Sequence, residues 1–288
     1  MFEPDQYALL DFGQGTKLES FGGLVILRET KSVPREQAVP LDAIRRLSPD
    51  LSFHLEHGSN RLGKWTGQPN SEWVVRHRSK QFLLKPTGSG QIGLFPEQAG
   101  NWEWIESKCR KLEGLTGINL FGYTGGTTLS LAAQGAAMVH VDAAGSVVRW
   151  ARENARRSGL GAAPIRWIVE DALKFIRREA KRGNRYDILV ADPPSFGTGP
   201  KRELWKLSEH LEELLAGLAN IAKPEPGMIM ISNHTEGYDE TILLNLIRRF
   251  FALENGNLEA LPLSLQTLEG RRLEAGHCVR YVSNQLIR

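Results

Sequence analysis

Cysteine is scarce in this chain: Cys109 and Cys278 are the only two in 288 residues. Neither has a Cys or His neighbour at metal-ligand spacing, and a single pair makes no disulfide framework. That excludes a zinc module and a disulfide-stapled scaffold, and no metal is expected. Long apolar runs are missing too, none reaching the roughly 20 residues that a bilayer-crossing helix needs. The first residues, Met-Phe-Glu-Pro-Asp, carry acids where a signal peptide carries bases ahead of an apolar stretch. No charge sign dominates: the formal net charge is +3, with 24% charged and 41% hydrophobic residues. These values describe an ordinary soluble globular chain, for which a cytoplasmic location is the expectation. A pI near 8.9 tilts weakly toward an anionic partner. A mildly basic enzyme with no such partner fits the charge equally well.

What the chain does have is a glycine-centred stretch, Gly117–Asp142, around which the rest is arranged. It reads as a strand ending at Phe121, a turn through Gly122, Gly125 and Gly126, and a helix over Thr127–Gln134. The glycines let the backbone turn sharply and come close to a ligand. Met138–Val141 reads as a second buried strand with Asp142 at its carboxyl end, the end at which open parallel sheets bind ligands. An acid about 20 residues past the first glycine is placed for the two hydroxyls of a ribose. The stretch therefore predicts a nucleoside-containing cofactor.

Residues 1–90 read as a small β-rich domain. Tyr7–Phe12, Gly23–Arg28, Leu51–Glu56, Glu72–His77 and Phe82–Lys85 are the predicted strands, with a hairpin turn at Phe12-Gly-Gln-Gly-Thr and a short helix over Leu41–Leu47. Trp65 and Trp73 read as packing residues. Arg76, His77, Arg78 and Lys80 make a basic hairpin tip, either solvated or set against phosphate.

Residues 91–288 read as a second domain. Gly93-Leu-Phe-Pro-Glu-Gln leads into an amphipathic helix over Trp102–Leu112. Glu97 and Gln98 either fold back over the ligand end of the first strand or charge the first turn of that helix. From Gly117 strands alternate with helices. The strands are Ile118–Phe121, Met138–Val141, Ile165–Val169, Ile188–Ala191 and Met228–Ser232; the helices are Thr127–Gln134, Gly145–Ser158, Ala172–Arg182 and Glu203–Ala222. The strands are short apolar runs, as in a sheet covered on both faces, so the pattern predicts a doubly wound α/β domain. After a helix over Tyr238–Ala252, Leu258–Leu268 and His277–Ser283 follow as strands with no helix between them, which predicts a terminal antiparallel pair.

Two further strand ends carry chemistry. Glu170-Asp171-Ala172 offers an acid to an adenine amino group, and Asp171 is also placed as a helix N-cap. Asp192-Pro193-Pro194-Ser195-Phe196 leaves its strand through two prolines, which fix the exit and donate no ladder bonds. The Asp192 carboxylate and nearby carbonyls become acceptors aimed at one spot, with Phe196 as a stacking wall.

These residues resemble the class I S-adenosylmethionine-dependent methyltransferases, and within them the branch of bacterial 23S rRNA methyltransferases acting on cytosine carbon-5 or guanine N2. The similarity runs from about Gly93 to Ser283. Asn119-Leu-Phe-Gly-Tyr-Thr-Gly-Gly resembles the first motif, Val141-Asp142 the second, Glu170-Asp171 the adenine-side acid, Asp192-Pro-Pro-Ser-Phe the catalytic loop, and Gly93-Leu-Phe-Pro-Glu-Gln the segment that reaches over the cofactor. The resemblance implies a Rossmann-like methyltransferase sheet ending in an antiparallel pair, with S-adenosyl-L-methionine as cofactor. It implies that Phe121, Gly122, Tyr123, Thr124, Gly125, Gly126 and Thr127 lie under the methionine part. It assigns the ribose to Asp142 beside Ala143, adenine to Glu170, Asp171 and Ala172, and further cofactor contacts to Glu97, Gln98 and Asp192. Asp192, Pro193, Pro194 and Phe196 become the catalytic group.

The carbon-5 enzymes need a cysteine nucleophile after the fifth strand. Here that place reads Ile231-Ser-Asn-His, with Asn233 where the cysteine would stand. Neither Cys109 nor Cys278 is expected beside Pro193, so transfer to an exocyclic amine of an RNA base, rRNA first, is favoured. The aromatic follows Ser195, whereas many amine-directed enzymes carry it directly after the second proline. Arg76, Arg78, Lys201, Arg202, Asn233, His234, Arg271 and Arg272 are the RNA-contact candidates. His234 suits either product deprotonation or phosphate. A protein or small-molecule acceptor, a nicotinamide-dependent oxidoreductase and a non-catalytic RNA-binding relative are the alternatives.

Overall fold

The computed structural model describes residues 1–30, 33, 48–59, 62–67, 72–108, 112–253 and 256–286. The helix predicted over 41–47 and Cys109 lie outside the described residues. Contacts divide the chain into two units: Met1–Ala99 with Ser264–Ala275, and Gly100–Leu263 with Gly276–Arg288. The first boundary thus falls nine residues beyond the 90/91 of the sequence reading, and the tip of the terminal hairpin groups with the amino-terminal unit. No described helix is long and apolar enough to cross a membrane.

In the first unit, β1 (Tyr7–Gly13), β2 (Thr16–Phe21), β3 (Leu24–Glu29), β4 (Leu51–Leu55) and β5 (Gly63–Gly67) form one sheet in that order. All pairs are antiparallel except β3 with β4. β6 (Trp73–His77) and β7 (Lys80–Leu84) make a separate hairpin. The turn at Gly13–Gly15 falls where the sequence puts it, with Gln14 at φ 48° and Gly15 at φ 76°. Two strands were not predicted. β2 hides its alternation because Glu19 is buried in it: Arg28 Nε donates to Glu19 Oε2 at 2.9 Å, and Tyr7 Oη donates to Glu19 Oε1 at 3.1 Å. β5 is bounded by glycines and largely exposed. The predicted basic tip is only half basic at its surface, since Arg76 and Arg78 are exposed while His77 and Lys80 are buried.

The second unit is built on a seven-stranded sheet. Its strands are β8 (Thr116–Leu120), β9 (Ala137–Asp142), β10 (Ile165–Val169), β11 (Ile188–Ala191), β14 (Met228–Asn233), β15 (Gly256–Gln266) and β16 (Arg272–Ser283). Their order is β10-β9-β8-β11-β14-β16-β15. The pairs from β10 through β14 are parallel, β16 runs antiparallel to β14, and the two terminal strands β16 and β15 are neighbours at the sheet edge. The helices are α1 (Ala99–Lys108), α2 (Gly126–Ala133), α3 (Gly145–Arg157), α4 (Ala172–Lys181), α5 (Leu207–Ile221) and α6 (Glu240–Phe250). Leu173 and Phe175 of α4, Leu211 and Leu214 of α5 and Leu243 of α6 pack on one side of the sheet in a cluster with Leu120, Val139 and Ile231. Trp104 and Ile105 of α1 and Leu131 of α2 pack with Met138, Val190 and Met230 in a second cluster. Chain order reverses on either side of β8 and β11, which makes their carboxyl ends the crevice of the sheet.

Two helices depart from expectation: the one predicted over Trp102–Leu112 spans Ala99–Lys108, and the one after the catalytic loop starts late. The helix predicted from Glu203 begins at Leu207, because Phe196–Thr198 (β12) pairs antiparallel with Leu204–Lys206 (β13). Trp205 is the cause: its Nε1 donates to the Pro194 carbonyl at 2.6 Å, and its ring lies 4.8 Å from that of Phe121.

Candidate active site

The crevice begins at the end of β8. Phe121 at φ 55°, Tyr123 at φ 48° and Gly125 at φ 96° bend the loop, so two of its three left-handed residues are not glycine. Gly125 is the N-cap of α2 and has the backbone only glycine adopts without strain. The other two glycines serve packing. A Cβ on Gly122 would collide with the His140 ring, and one on Gly126 with the Trp102 indole. Tyr123 N donates to Asp142 Oδ2 at 3.0 Å and Ala144 N to Asp142 Oδ1 at 2.9 Å, so the acid ties the glycine loop to the end of β9. Burial raises the pKa of Asp142 above the ordinary carboxylate value, against the N–H donors of Ala144, Tyr123 and Ala143. Asp142 remains partly exposed.

Residues that sequence reasoning missed brace this loop from behind. Asn154 Nδ2 donates to the Thr124 carbonyl at 3.0 Å from the buried side of α3. Its signal was a polar residue on the apolar stripe of Val148, Ala151 and Ala155. Asn119 Nδ2 donates to Thr128 Oγ1 at 2.9 Å, and that hydroxyl lies 2.9 Å from His140 Nδ1. Burial drives the His140 pKa down to about 3, so the imidazole is neutral at physiological pH.

At the end of β10, Asp171 caps α4 by accepting from Lys174 N at 2.9 Å, and Ala172 opens that helix and is buried. Glu170 pairs with Arg178 at 2.9 Å and with Lys174 at 3.9 Å. Its carboxylate is therefore engaged with α4.

Past β11, Ser232 Oγ donates to Asp192 Oδ1 at 2.8 Å, and His234 Nε2 lies 3.4 Å from the same oxygen. Ser195 Oγ and Thr235 Oγ1, 2.8 Å apart, join the catalytic loop to the loop after β14. The Pro194 carbonyl accepts from Trp205 Nε1 at 2.6 Å. Phe196 is 49% exposed just beyond.

Other candidates are placed differently. Asn233 is buried and holds a turn, donating from Nδ2 to the Tyr238 carbonyl at 3.0 Å and accepting from Thr235 N at 2.8 Å. It serves the loop, not an incoming substrate. Cys278 sits in β16 opposite Ser232, buried, with its thiol pushed up to about 12 by desolvation. Lys201 and Arg202 are exposed in the turn of the β12–β13 pair. In the first unit, Glu97 and Gln98 are buried in a 3-10 turn over Pro96–Gln98, and the resemblance alone assigns them to the cofactor. Arg271 there pairs with Asp11 and lies 4.8 Å over the Phe12 ring, so its charge is engaged within that unit. Arg272 is exposed.

A parallel sheet reversing beside a glycine loop, with acids ending successive strands and an antiparallel closing strand, defines a nucleoside-cofactor α/β domain. A family model described as S-adenosylmethionine-dependent methyltransferase matches residues 51–249, and the chain belongs to that family. A solved SAM-dependent methyltransferase from Agrobacterium tumefaciens is similar at 33% identity and TM-score 0.84, over 96% of this chain and 90% of that one. A methyltransferase solved with SAH shares the fold at 16% identity and TM-score 0.73, over 96% of this chain and 75% of that one. Among curated relatives, ribosomal RNA large subunit methyltransferase K/L of Shewanella frigidimarina is 27% identical over 62% of this chain and 24% of its own length. Methyltransferase K of Neisseria meningitidis is 23% identical over 68% and 54%. Methyltransferase I of Aeromonas salmonicida is 25% identical over 74% and 55%. The chain thus spans from about a quarter to about half the length of these curated relatives.

The residues present fit S-adenosylmethionine. A carboxylate has about four acceptor positions, more than the three backbone N–H groups of Tyr123, Ala143 and Ala144 fill at Asp142, as a ribose ligand must have. The amino termini of α2 and α3 carry no side-chain cap, whereas α4 and α6 are capped by Asp171 and Asp239. Uncapped N–H groups at the ligand edge suit the cofactor's carboxylate and hydroxyls.

Proposed function

We propose that this methyltransferase acts on an RNA base, rRNA first, at an exocyclic amine in preference to cytosine carbon-5. The observation that carries the reading is the Asp192 cluster. Ser232 and His234 face Oδ1 from the end of β14 and its following loop, two prolines fix the strand exit, and Phe196 stands exposed at its mouth. Asp192 and the Pro193 carbonyl then take the amine protons and turn the nitrogen lone pair toward the methyl group, with the base stacked on Phe196. The cofactor, when bound, supplies a methyl group on a sulfonium. Nitrogen–carbon bond formation leaves one surplus proton on the amine, and Asp192 with His234 is placed to accept it.

Carbon-5 chemistry needs a thiolate. Cys278 is buried and held protonated, and Asn233 occupies the nucleophile's place. The names of the curated relatives support the RNA substrate; a protein or small-molecule acceptor is the second reading. The family match sets aside the nicotinamide reading. The test is a comparison of methylated nucleosides in rRNA from cells with and without the gene, followed by transfer of labelled methyl to that RNA by the purified protein. Label reaching only protein or metabolites would favour the second reading.

A further inference from the structure

The β12–β13 pair continues directly from the catalytic loop, and Phe196 belongs to both. Its register sets Phe196 opposite Lys206, Gly197 opposite Trp205 and Thr198 opposite Leu204. Opposed residues share a face of such a pair. Gly197 and Trp205 therefore look one way, and Phe196, Thr198, Leu204 and Lys206 the other.

The Trp205 face is built in. Trp205 is 3% exposed, bonds the Pro194 carbonyl, touches Phe121 of the glycine loop and stacks on His210 at 5.5 Å and 27°. The other face is open. Phe196 and Leu204 are 49% and 51% exposed, among the most exposed large apolar side chains in the second unit. The turn beyond them carries Lys201 and Arg202, both exposed. The nearby acid has other recorded partners: Glu203 Oε2 accepts from the backbone N of Lys201 at 2.8 Å, and Oε1 lies 3.6 Å from Lys174.

Apolar exposure alone does not name a partner. Two cations at the end of an apolar strip, on an element continuous with the catalytic loop, do. The strip suits base faces and the cations suit phosphates. A duplex keeps its base faces stacked inside, so an unpaired strand satisfies both.

We propose that the outer face of this hairpin binds the unpaired RNA next to the target nucleotide. A flanking base packs on Leu204 and Thr198, and its phosphates meet Lys201 and Arg202. The proposal rests on the RNA reading above. Because the inner face holds Pro194 and Phe121, strand binding outside is transmitted to both loops through Trp205, a positioning residue.

The test uses the full chain with a 12-nucleotide unpaired RNA of mixed sequence and a duplex of the same length. Lys201→Glu with Arg202→Glu should weaken unpaired RNA binding by about tenfold or more and flatten its salt dependence by about 1.4 in log–log slope, the value for two phosphate contacts on a single strand. Leu204→Ser should weaken the unpaired probe at unchanged salt slope and leave the duplex unaffected. S-adenosylmethionine binding by calorimetry should match the parent in both variants, showing the fold intact. Trp205→Phe should lower kcat on transferable RNA more than it raises KM; a reduced protein yield with normal kcat would mark a packing role and remove the coupling. Unchanged RNA binding in the charge-reversal variant, or equal losses for strand and duplex, would overturn the hairpin assignment while sparing the RNA reading. A parent that binds neither RNA but binds an acidic peptide through Lys201 and Arg202 would overturn both.

Discussion

Asp142 and Asp192 end neighbouring parts of the same crevice, and their surroundings assign them separate work. Asp142 holds the backbone N–H of Tyr123 in the glycine loop and that of Ala144 after β9, while Asp192 is faced by a hydroxyl and an imidazole. Asp142→Ala should weaken cofactor affinity by about 10- to 100-fold, the loss of one or two charge-assisted hydrogen bonds, as read by calorimetry. Asp192→Ala should leave that affinity within about threefold and lower kcat by at least about 100-fold, the scale of a lost acid–base and orienting group. Normal turnover in Asp192→Ala would remove the amine-orienting role. His140 gives a pH signature. Its folded pKa is depressed to about 3, so the unfolded chain binds the extra proton first, and stability falls as pH drops from about 6.5 toward 3. The loss approaches about 1.4 kcal/mol for each pH unit crossed between those limits. His140→Gln should flatten that limb in denaturant titrations at pH 7 and pH 4.5; an unchanged difference between the two pH values would place the effect elsewhere. The sequence displayed Asp142 and Asp192 because strand ends and prolines are local patterns. It did not display Ser232, Asn154 or Trp205, whose roles come from partners 40, 30 and 11 residues away.

At the scale of elements, the strands of the parallel sheet were legible because each is an apolar run between turn signals. β10 and β11 fall on their predicted bounds. β2 and the β12–β13 pair were not legible, one because an ion pair buries a charge in it, the other because three-residue strands carry no period. The two readings of Asp171 are separable by experiment. As a cap it accepts from Lys174 N, so Asp171→Ala should cost about 1 kcal/mol of stability. If it also faces adenine, the same variant should weaken S-adenosylmethionine binding beyond any change in stability. Equal cofactor affinity in parent and variant would leave the cap as its whole role.

For the whole molecule, the family match and the sheet order agree on one cofactor and one reaction type, while the acceptor is set by what the crevice presents. That crevice presents a carboxylate, two prolines and an exposed phenylalanine, with the described cysteine buried and protonated. Replacing Cys109 and Cys278 together by serine should leave methyl transfer intact in the folded protein. Loss of transfer at normal stability would restore the covalent carbon-5 route. The most direct measurement is mass spectrometry of nucleosides from rRNA of cells with and without the gene. An N-methylated base that disappears with the gene, and returns when the purified protein and S-adenosylmethionine are added to the deficient RNA, is the predicted result. Identical nucleoside profiles, or loss of 5-methylcytidine alone, would contradict the account.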